Sequence, residues 1–473
     1  MTEVSAPLVA GDTDEIATRA TYAPWIAHAL KTASTLAAEP RRDETAPRGA
    51  APSGGPERGL TRSTPTSRSR GALGVKDARQ RGWLTYVAPE HGQAPPHGPL
   101  HGLAVSVKDI VDVAGMPTRN GTPSALWREP VESATVWQRL HADGARCIGK
   151  SATHEMAWGI TTPQIPHPVD PDRSAGGSSG GAAASIAAGV CDGGIGTDTG
   201  GSVRVPAALC GVVGFRPTWG TVPTDGITPL APLQDVPGPL AHDVRTALAM
   251  LESLTGRPMT PADADVAGLR IGFLRRTGRL QPAVDRGYRD ALGRLEMAGA
   301  TLVPVETDVL RHSTGISLLT MLRASARLHA TTVRADPSGF GGAARALLTL
   351  GEPLAEHASL IAAARAIIVD RTEQVFSAHR LDAFITPTTT CAAPGRRAAA
   401  VTVGGRDEPV SAALTRFTAW ASVTGMPALS MPAGADEYGL AVGIQIMAPP
   451  HHEPTCARLA LAYETRNPAK DRT

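Results

Sequence analysis

The sequence predicts a layered α/β fold, in which the strands of a sheet alternate with helices along the chain. Three observations carry that expectation. From Lys108 onward, strand-like and helix-like segments follow one another in the order typical of such proteins. Residues 269–274, then an apolar stripe of Val284, Tyr288, Leu292 and Leu295 stopped by Gly299, then residues 301–305, read as a β-α-β unit with a right-handed crossover. Finally, 50 glycines and 40 prolines against 4% aromatic residues describe a turn-rich chain.

Taken in order, residues 1–38 are read as an N-terminal helical segment. Ile16, Trp25, Ile26, Ala29, Leu30 and Leu36 give it a partial helical period, and Pro24 is expected to break or restart it. Residues 39–81 are rich in Pro, Arg, Gly and Ser. Apolar residues almost vanish over 39–71, so that stretch cannot bury enough surface to offset its ordering entropy. It is read as a disordered or extended insertion. Strand-like character restarts at Gly82-Trp83-Leu84-Thr85-Tyr86-Val87, and residues 82–473 are read as one large domain. Within it, Leu103, Val105 and Val107 share one face of a strand while Ala104, Ser106 and Lys108 share the other. Residues 132–141 read as a helix with Val136 and Leu140 on one face, ended near Gly144, ahead of a strand at 145–149. Ala- and Leu-rich helices fill much of 315–380, with one break at 337–342.

The chain is organised around residues 176–216. Ten glycines and four serines lie between Gly176 and Ser202, yet apolar residues such as Ile186, Ile195 and Val203 punctuate the stretch, which a flexible linker would not show. A phosphate cradle fits poorly: Gly194-Ile195-Gly196 opens a G-x-G-x-x-G pattern, but Thr199 occupies the third glycine position and no P-loop lysine follows. Gly176-Gly177-Ser178-Ser179-Gly180 matches a G-x-S-x-G elbow only formally, because residues 166–175 are polar and proline-broken where that elbow needs an apolar strand. Ser178 and Ser202 each follow a Gly-Gly pair, which suggests backbone N–H groups arranged around a reacting oxygen. Such a serine needs a base from elsewhere.

Val107-Lys108-Asp109, Gly176-Gly177-Ser178-Ser179-Gly180-Gly181 and Asp198-Thr199-Gly200-Gly201-Ser202-Val203-Arg204-Val205-Pro206-Ala207 together closely resemble the amidase signature family. The likeness continues through residues 210–218, Gly238-Pro239-Leu240, and later strands and turns at 381–388, 424–432 and 439–447. It implies an amidase signature fold, a large mixed β-sheet between helical layers, with 82–473 as the catalytic domain. It also implies roles: Ser202 as nucleophile, Ser178 as a bridging serine after a cis Gly177–Ser178 peptide, and Lys108 as the ultimate base. The N–H groups of Thr199, Gly200, Gly201 and Ser202 become the oxyanion-hole candidates, with Ser179, Thr197, Asp198 and Arg204 in support. The chemistry is coherent. A serine hydroxyl needs an adjacent base, and a lysine serves as one only where burial leaves it neutral. Asp198 and Arg204 are expected to pair and hold the loop, and Ser179 either bonds around the relay or caps the following helix. Two departures from the family pattern, His167-Pro168 in place of Asn-Pro and Ser422 in place of a frequent asparagine, put the substrate preference in question.

The implied activity is hydrolysis of a small carboxamide to a carboxylate and ammonia or an amine. A glutaminase (A-type) subunit of a tRNA-dependent amidotransferase, an acyl-transferring variant and an inactive scaffold are the alternatives. No cofactor is implied, and no metal-ligand spacing emerges around His154, His167, His451 or His452. A net charge of +2 argues against nucleic acid as a partner, and no apolar run approaches a membrane span. The five cysteines are scattered without a C-x-x-C pair, and Met1-Thr2-Glu3 opens no signal-peptide pattern; a cytoplasmic enzyme, possible as a homodimer, is the expectation.

Overall fold

The computed structural model describes residues 13–39, 60–65, 73–89, 95 and 97–465. Helix α1 (Thr13–Ala38) runs unbroken through Pro24, against the expected break. Tertiary packing outweighs the missing N–H: Ala29, Ala33 and Leu36 are buried, and the helix lies against three later helices. Residues 40–59 and 66–72 of the expected insertion lie outside the described residues. Between them, β1 (Leu60–Thr61) pairs with residues 260–261. The Ser63 N–H donates to Glu252 Oε2 at 2.7 Å, satisfying a buried carboxylate. Within residues 39–81 the structure thus describes this anchored strand and helix α2 (Val75–Gln80).

The domain then proceeds through β2 (Leu84–Val87), β3 (Ala104–Lys108), α3 (Thr135–Ala142), β4 (Arg146–Ser151), α4 (Gly180–Ala187), β5 (Gly193–Asp198), α5 (Arg204–Cys210), β6 (Val213–Arg216) and β7 (Val236–Ala241). Helix α6 (Val244–Thr255) is started by Asp243, whose side chain accepts the Thr246 N–H, and stopped by Gly256 in the left-handed region. Next come β8 (Thr260–Pro261), β9 (Arg270–Leu274), α7 (Pro282–Met297) and β10 (Thr301–Val305), with β9 and β10 parallel as the β-α-β pattern requires. Helices α8 (Val309–Ala335), α9 (Gly342–Thr349) and α10 (Ala358–His379) follow. They are separated by short 3-10 turns at 337–339 and at 352–355, the second not anticipated. The chain closes with β11 (Ala383–Pro387), β12 (Ala400–Val403), β13 (Arg406–Pro409), α11 (Val410–Thr415), α12 (Thr418–Thr424), β14 (Ala428–Ala435), β15 (Ala441–Met447) and α13 (Glu453–Thr465).

Eleven strands form one mixed sheet between helical layers, in the order β10-β9-β11-β15-β14-β6-β7-β5-β3-β4-β2. Strand β3 sits between two parallel partners, β4 and β5. Consequently all five of its residues are buried, Ser106 and Lys108 included. The alternation seen in the sequence thus separates two covered faces, not a core face and a wet one. Lys108 ends β3 and Asp198 ends the neighbouring parallel strand β5, at the carboxyl ends where open α/β sheets place their sites.

Candidate active site

Lys108 is fully buried, with Nζ 2.7 Å from Ser178 Oγ and 2.8 Å from Thr197 Oγ1. Burial pushes its pKa from 10.5 down to about 7, while the carboxylates of Asp198 and Asp235 hold it from falling further. The Gly177–Ser178 peptide is cis. Gly177 has no room for a side chain, since a Cβ there would lie 2.1 Å from the Thr161 carbonyl oxygen. The Ser179 N–H donates to the Ser202 carbonyl at 3.2 Å, tying the two serine-bearing turns together. Ser179 is also the residue before α4, but its side chain makes no cap bond; its hydroxyl lies 3.4 Å from the Thr197 N–H and carbonyl instead.

Ser202 is 4% exposed and sits in the turn between β5 and α5. Among the described residues its hydroxyl has no hydrogen-bond partner, so the structure joins Lys108 to Ser178 but not Ser178 to Ser202. Catalytic hydrogen bonds commonly tighten only once substrate is bound. The turn is shaped by Asp198. Its carboxylate accepts a bidentate pair from Arg204 (Nη2 2.8 Å, Nε 2.9 Å) and a bond from Arg216 Nη1 at 3.2 Å. It also accepts the N–H groups of Gly201 at 2.9 Å and Val203 at 3.2 Å. Burial would raise the Asp198 pKa, but the two guanidiniums and these N–H donors overcome that and hold it below the usual carboxylate range.

The Gly201 N–H, one of the four oxyanion-hole candidates, donates to Asp198 Oδ1 at 2.9 Å. A glycine is required there: its φ is +132°, and a Cβ would fall 2.5 Å from Thr418 Oγ1. That same Thr418 hydroxyl donates to the Gly200 carbonyl at 2.7 Å. Thr199 Oγ1 donates to Asp235 Oδ1 at 2.7 Å, and Asp235 Oδ2 accepts the N–H groups of Leu230 and Ala231 at 2.9 Å each. Sequence reasoning missed Arg216, Thr418 and Asp235. The first two lie inside or near matched stretches, but their reach to the turn is visible only once β6 and α12 are placed beside it.

The two departures in sequence are also placed. Ser422 Oγ accepts from Arg204 Nη2 at 2.9 Å, and His167 Nε2 lies 2.9 Å from the Leu209 carbonyl oxygen, both residues buried. Both side chains are thus held by hydrogen bonds within the scaffold. His154 is packed likewise, its pKa pushed down to about 4 by burial. No cluster of three metal-binding side chains occurs among the described residues. No helix there is long and apolar enough to cross a membrane.

The eleven-stranded mixed sheet thus carries a buried lysine at the end of β3 and a serine in the turn after β5. The comparison with known proteins is specific. Residues 86–457 match the family model Amidase. The chain is 35% identical over 385 residues to an amidase of Pseudomonas putida, an alignment covering 78% of this chain and 82% of that protein. It is 32% identical over 419 residues to the A subunit of a Synechococcus glutamyl-tRNA(Gln) amidotransferase, covering 78% and 84%. A solved amidase structure superposes with a TM-score of 0.76 at 32% identity, over 83% of this chain and 93% of the other. The chain belongs to the amidase signature family. It is a hydrolase acting on C–N bonds.

Proposed function

We propose that the protein hydrolyses a small carboxamide through a covalent acyl-enzyme on Ser202, with Ser178 as proton relay and Lys108 as base. Ser202 Oγ attacks the amide carbonyl; its proton passes to Ser178 Oγ, whose own proton passes to the neutral Lys108 amine. The N–H groups of Thr199, Gly200 and Ser202 receive the oxyanion. As the C–N bond breaks, the proton returns through Ser178 to the leaving nitrogen, and water then releases the carboxylate by the same relay. The observation that carries this reading is the burial of Lys108 against Ser178 with a pKa near 7, which supplies a neutral amine at working pH.

Five free cysteines support a reducing, cytoplasmic setting. The amidotransferase components among the relatives keep a second reading open, in which glutamine is the substrate and ammonia passes to a partner. Assaying the purified chain alone separates the two: turnover of aryl and aliphatic amides supports the stand-alone enzyme, and activity confined to glutamine supports the amidotransferase component. Ser202→Ala should abolish both turnover and labelling by a fluorophosphonate. Full labelling of that variant at another serine would overturn the assignment.

A further inference from the structure

Two side chains of α8, Ser317 and Met321, meet the turn that carries Ser202. Gln234 Nε2 donates to the Thr199 carbonyl at 3.3 Å and to Ser317 Oγ at 2.7 Å, which fixes this part of α8 beside the oxyanion-hole candidates. One helical turn further on, Met321 faces Gly200: a Cβ built there would lie 3.5 Å from its Sδ and 4.0 Å from its Cε. Apart from the residues flanking Gly200, no other described atom comes within 4 Å of that point. The Ser317 hydroxyl lies 3.9 Å from the Met321 sulfur and holds the thioether from behind. Met321 is nevertheless only half-buried, while Thr320 and Leu322 on either side of it are buried. The Gly200 carbonyl is held separately, by Thr418 Oγ1 at 2.7 Å. The α-carbon of Gly200 thus opens onto space bordered by one flexible, apolar side chain.

The geometry points to Met321 as the side chain that selects the acyl group of the substrate, favouring a flat apolar body such as an arylacetyl group. This rests on Ser202 being the nucleophile and on the Gly200 N–H receiving the oxyanion. A carbonyl carbon bonded to Ser202 Oγ, with its oxygen at that N–H, carries its substituents past Gly200. The leaving nitrogen must face Ser178, which returns its proton. Ser178 leads into α4, which packs on α5, β2, β3, β4, β5 and β7, whereas α8 packs on α1, α9, α10 and α12. Met321 therefore reaches the turn from a different side than the proton relay, where the acyl substituent lies. A thioether is polarizable, contacts an aromatic ring favourably at about 5 Å, and adapts its rotamer to the body it meets.

The test uses the full chain and two series of amides. One holds the leaving group constant, as p-nitroanilides of acetic, butyric and phenylacetic acids. The other holds the acyl group constant, as phenylacetamides of ammonia, methylamine and p-nitroaniline. The native chain should prefer phenylacetyl to acetyl in kcat/KM. Met321→Ala should lower that ratio about fivefold, the scale of one sulfur–ring contact. Met321→Gln, which keeps the length but not the thioether, should lower it about threefold and carries the test if the alanine variant does not fold. Met321→Leu, apolar and of similar volume, should retain most of the ratio. In the second series all three variants should keep the native order of leaving groups. A native preference for acetyl, a ratio unchanged in both the alanine and glutamine variants, a change confined to the leaving-group series, or no turnover of the phenylacetyl amides would overturn the proposal. Intact-mass measurement after mixing with p-nitrophenyl phenylacetate separates the two levels of the argument. A phenylacetyl increment absent from the native chain would remove Ser202 as nucleophile and the proposal with it; an increment on Ser202 with an unchanged ratio would overturn the role of Met321 alone.

Discussion

If Lys108 must be neutral to accept a proton, acid should switch the enzyme off along a limb set by its pKa of about 7. The plateau of kcat/KM should be reached near pH 8, with about a tenth of it left at pH 6 and about a hundredth at pH 5, since the rate follows the neutral fraction. Lys108→Ala should lower the rate by at least about a hundredfold and remove the limb. Lys108→Arg should not restore activity, because a guanidinium keeps its proton. The same lowered pKa predicts a stability effect of known sign. Between about pH 7 and 10.5 the unfolded lysine binds a proton that the folded one lacks, so wild-type stability rises with pH across that window. Its full cost, present below pH 7, corresponds to at most roughly 5 kcal/mol. Lys108→Met should therefore be more stable than wild type at pH 7 by about 1–3 kcal/mol, after allowance for the bonds lost at Ser178 and Thr197. Urea unfolding of both proteins from pH 6 to 10 tests this, the difference between them shrinking as pH rises. A limb that survives in Lys108→Ala would assign the titration elsewhere, and a pH-independent stability difference would refute the buried-amine argument.

Asp235→Asn removes a negative charge that favours the ammonium form of Lys108, so the acid limb should move to lower pH; a limb that stays or moves upward would contradict that sign. Because the variant also loosens Thr199, its plateau should fall about tenfold, read as kcat with KM little changed. The two glycines before Ser202 should separate fold from chemistry. Gly201→Ala should lower the thermal midpoint, given its positive φ and the 2.5 Å approach to Thr418. Gly200→Ala should fold normally, since a Cβ there meets only Met321 at 3.5 Å, yet lose turnover through obstruction of the acyl carbonyl.

The local chemistry was legible in the sequence where one short segment carries it. The β9-α7-β10 unit, the strand ending at Lys108 and the serine-bearing turns follow from pattern and resemblance. Three things were not. The passage of α1 through Pro24 depends on α8, α9 and α10, which no local window contains. The anchor at Ser63 depends on Glu252, 189 positions away. The fate of the Gly201 N–H depends on which way the Asp198 carboxylate turns, and Arg204 and Arg216 decide that together from separate elements. Composition reads what a segment can bury by itself; these cases turn on what another segment brings to it.

The Asp198 cluster also explains why the site is built around buried charge. A carboxylate and two guanidiniums, all fully buried, carry a heavy desolvation cost that an apolar cluster of equal volume would avoid. The cost is not fully recovered: among the described residues Arg216 Nε and Nη2 remain buried without hydrogen-bond partners. What the cluster supplies is a fixed turn. Through Arg204 it reaches the Thr418 carbonyl at 2.9 Å and Gln445 at 3.0 Å, and through Arg216 the Gln234 carbonyl at 2.9 Å. Three separate segments are thereby tied to the turn that carries Ser202. An oxyanion site works only if its donors are aimed before the charge develops, since reorganising them during the reaction would consume the stabilisation they give. In a turn with two consecutive glycines, the backbone has little stiffness of its own. Rigidity must come from bonds to the turn, and a single carboxylate accepting from Gly201, Val203 and two arginines provides it, while the N–H groups of Thr199, Gly200 and Ser202 remain for the proposed oxyanion. The stability sacrificed to buried charge thus goes into holding the one turn that cannot hold itself.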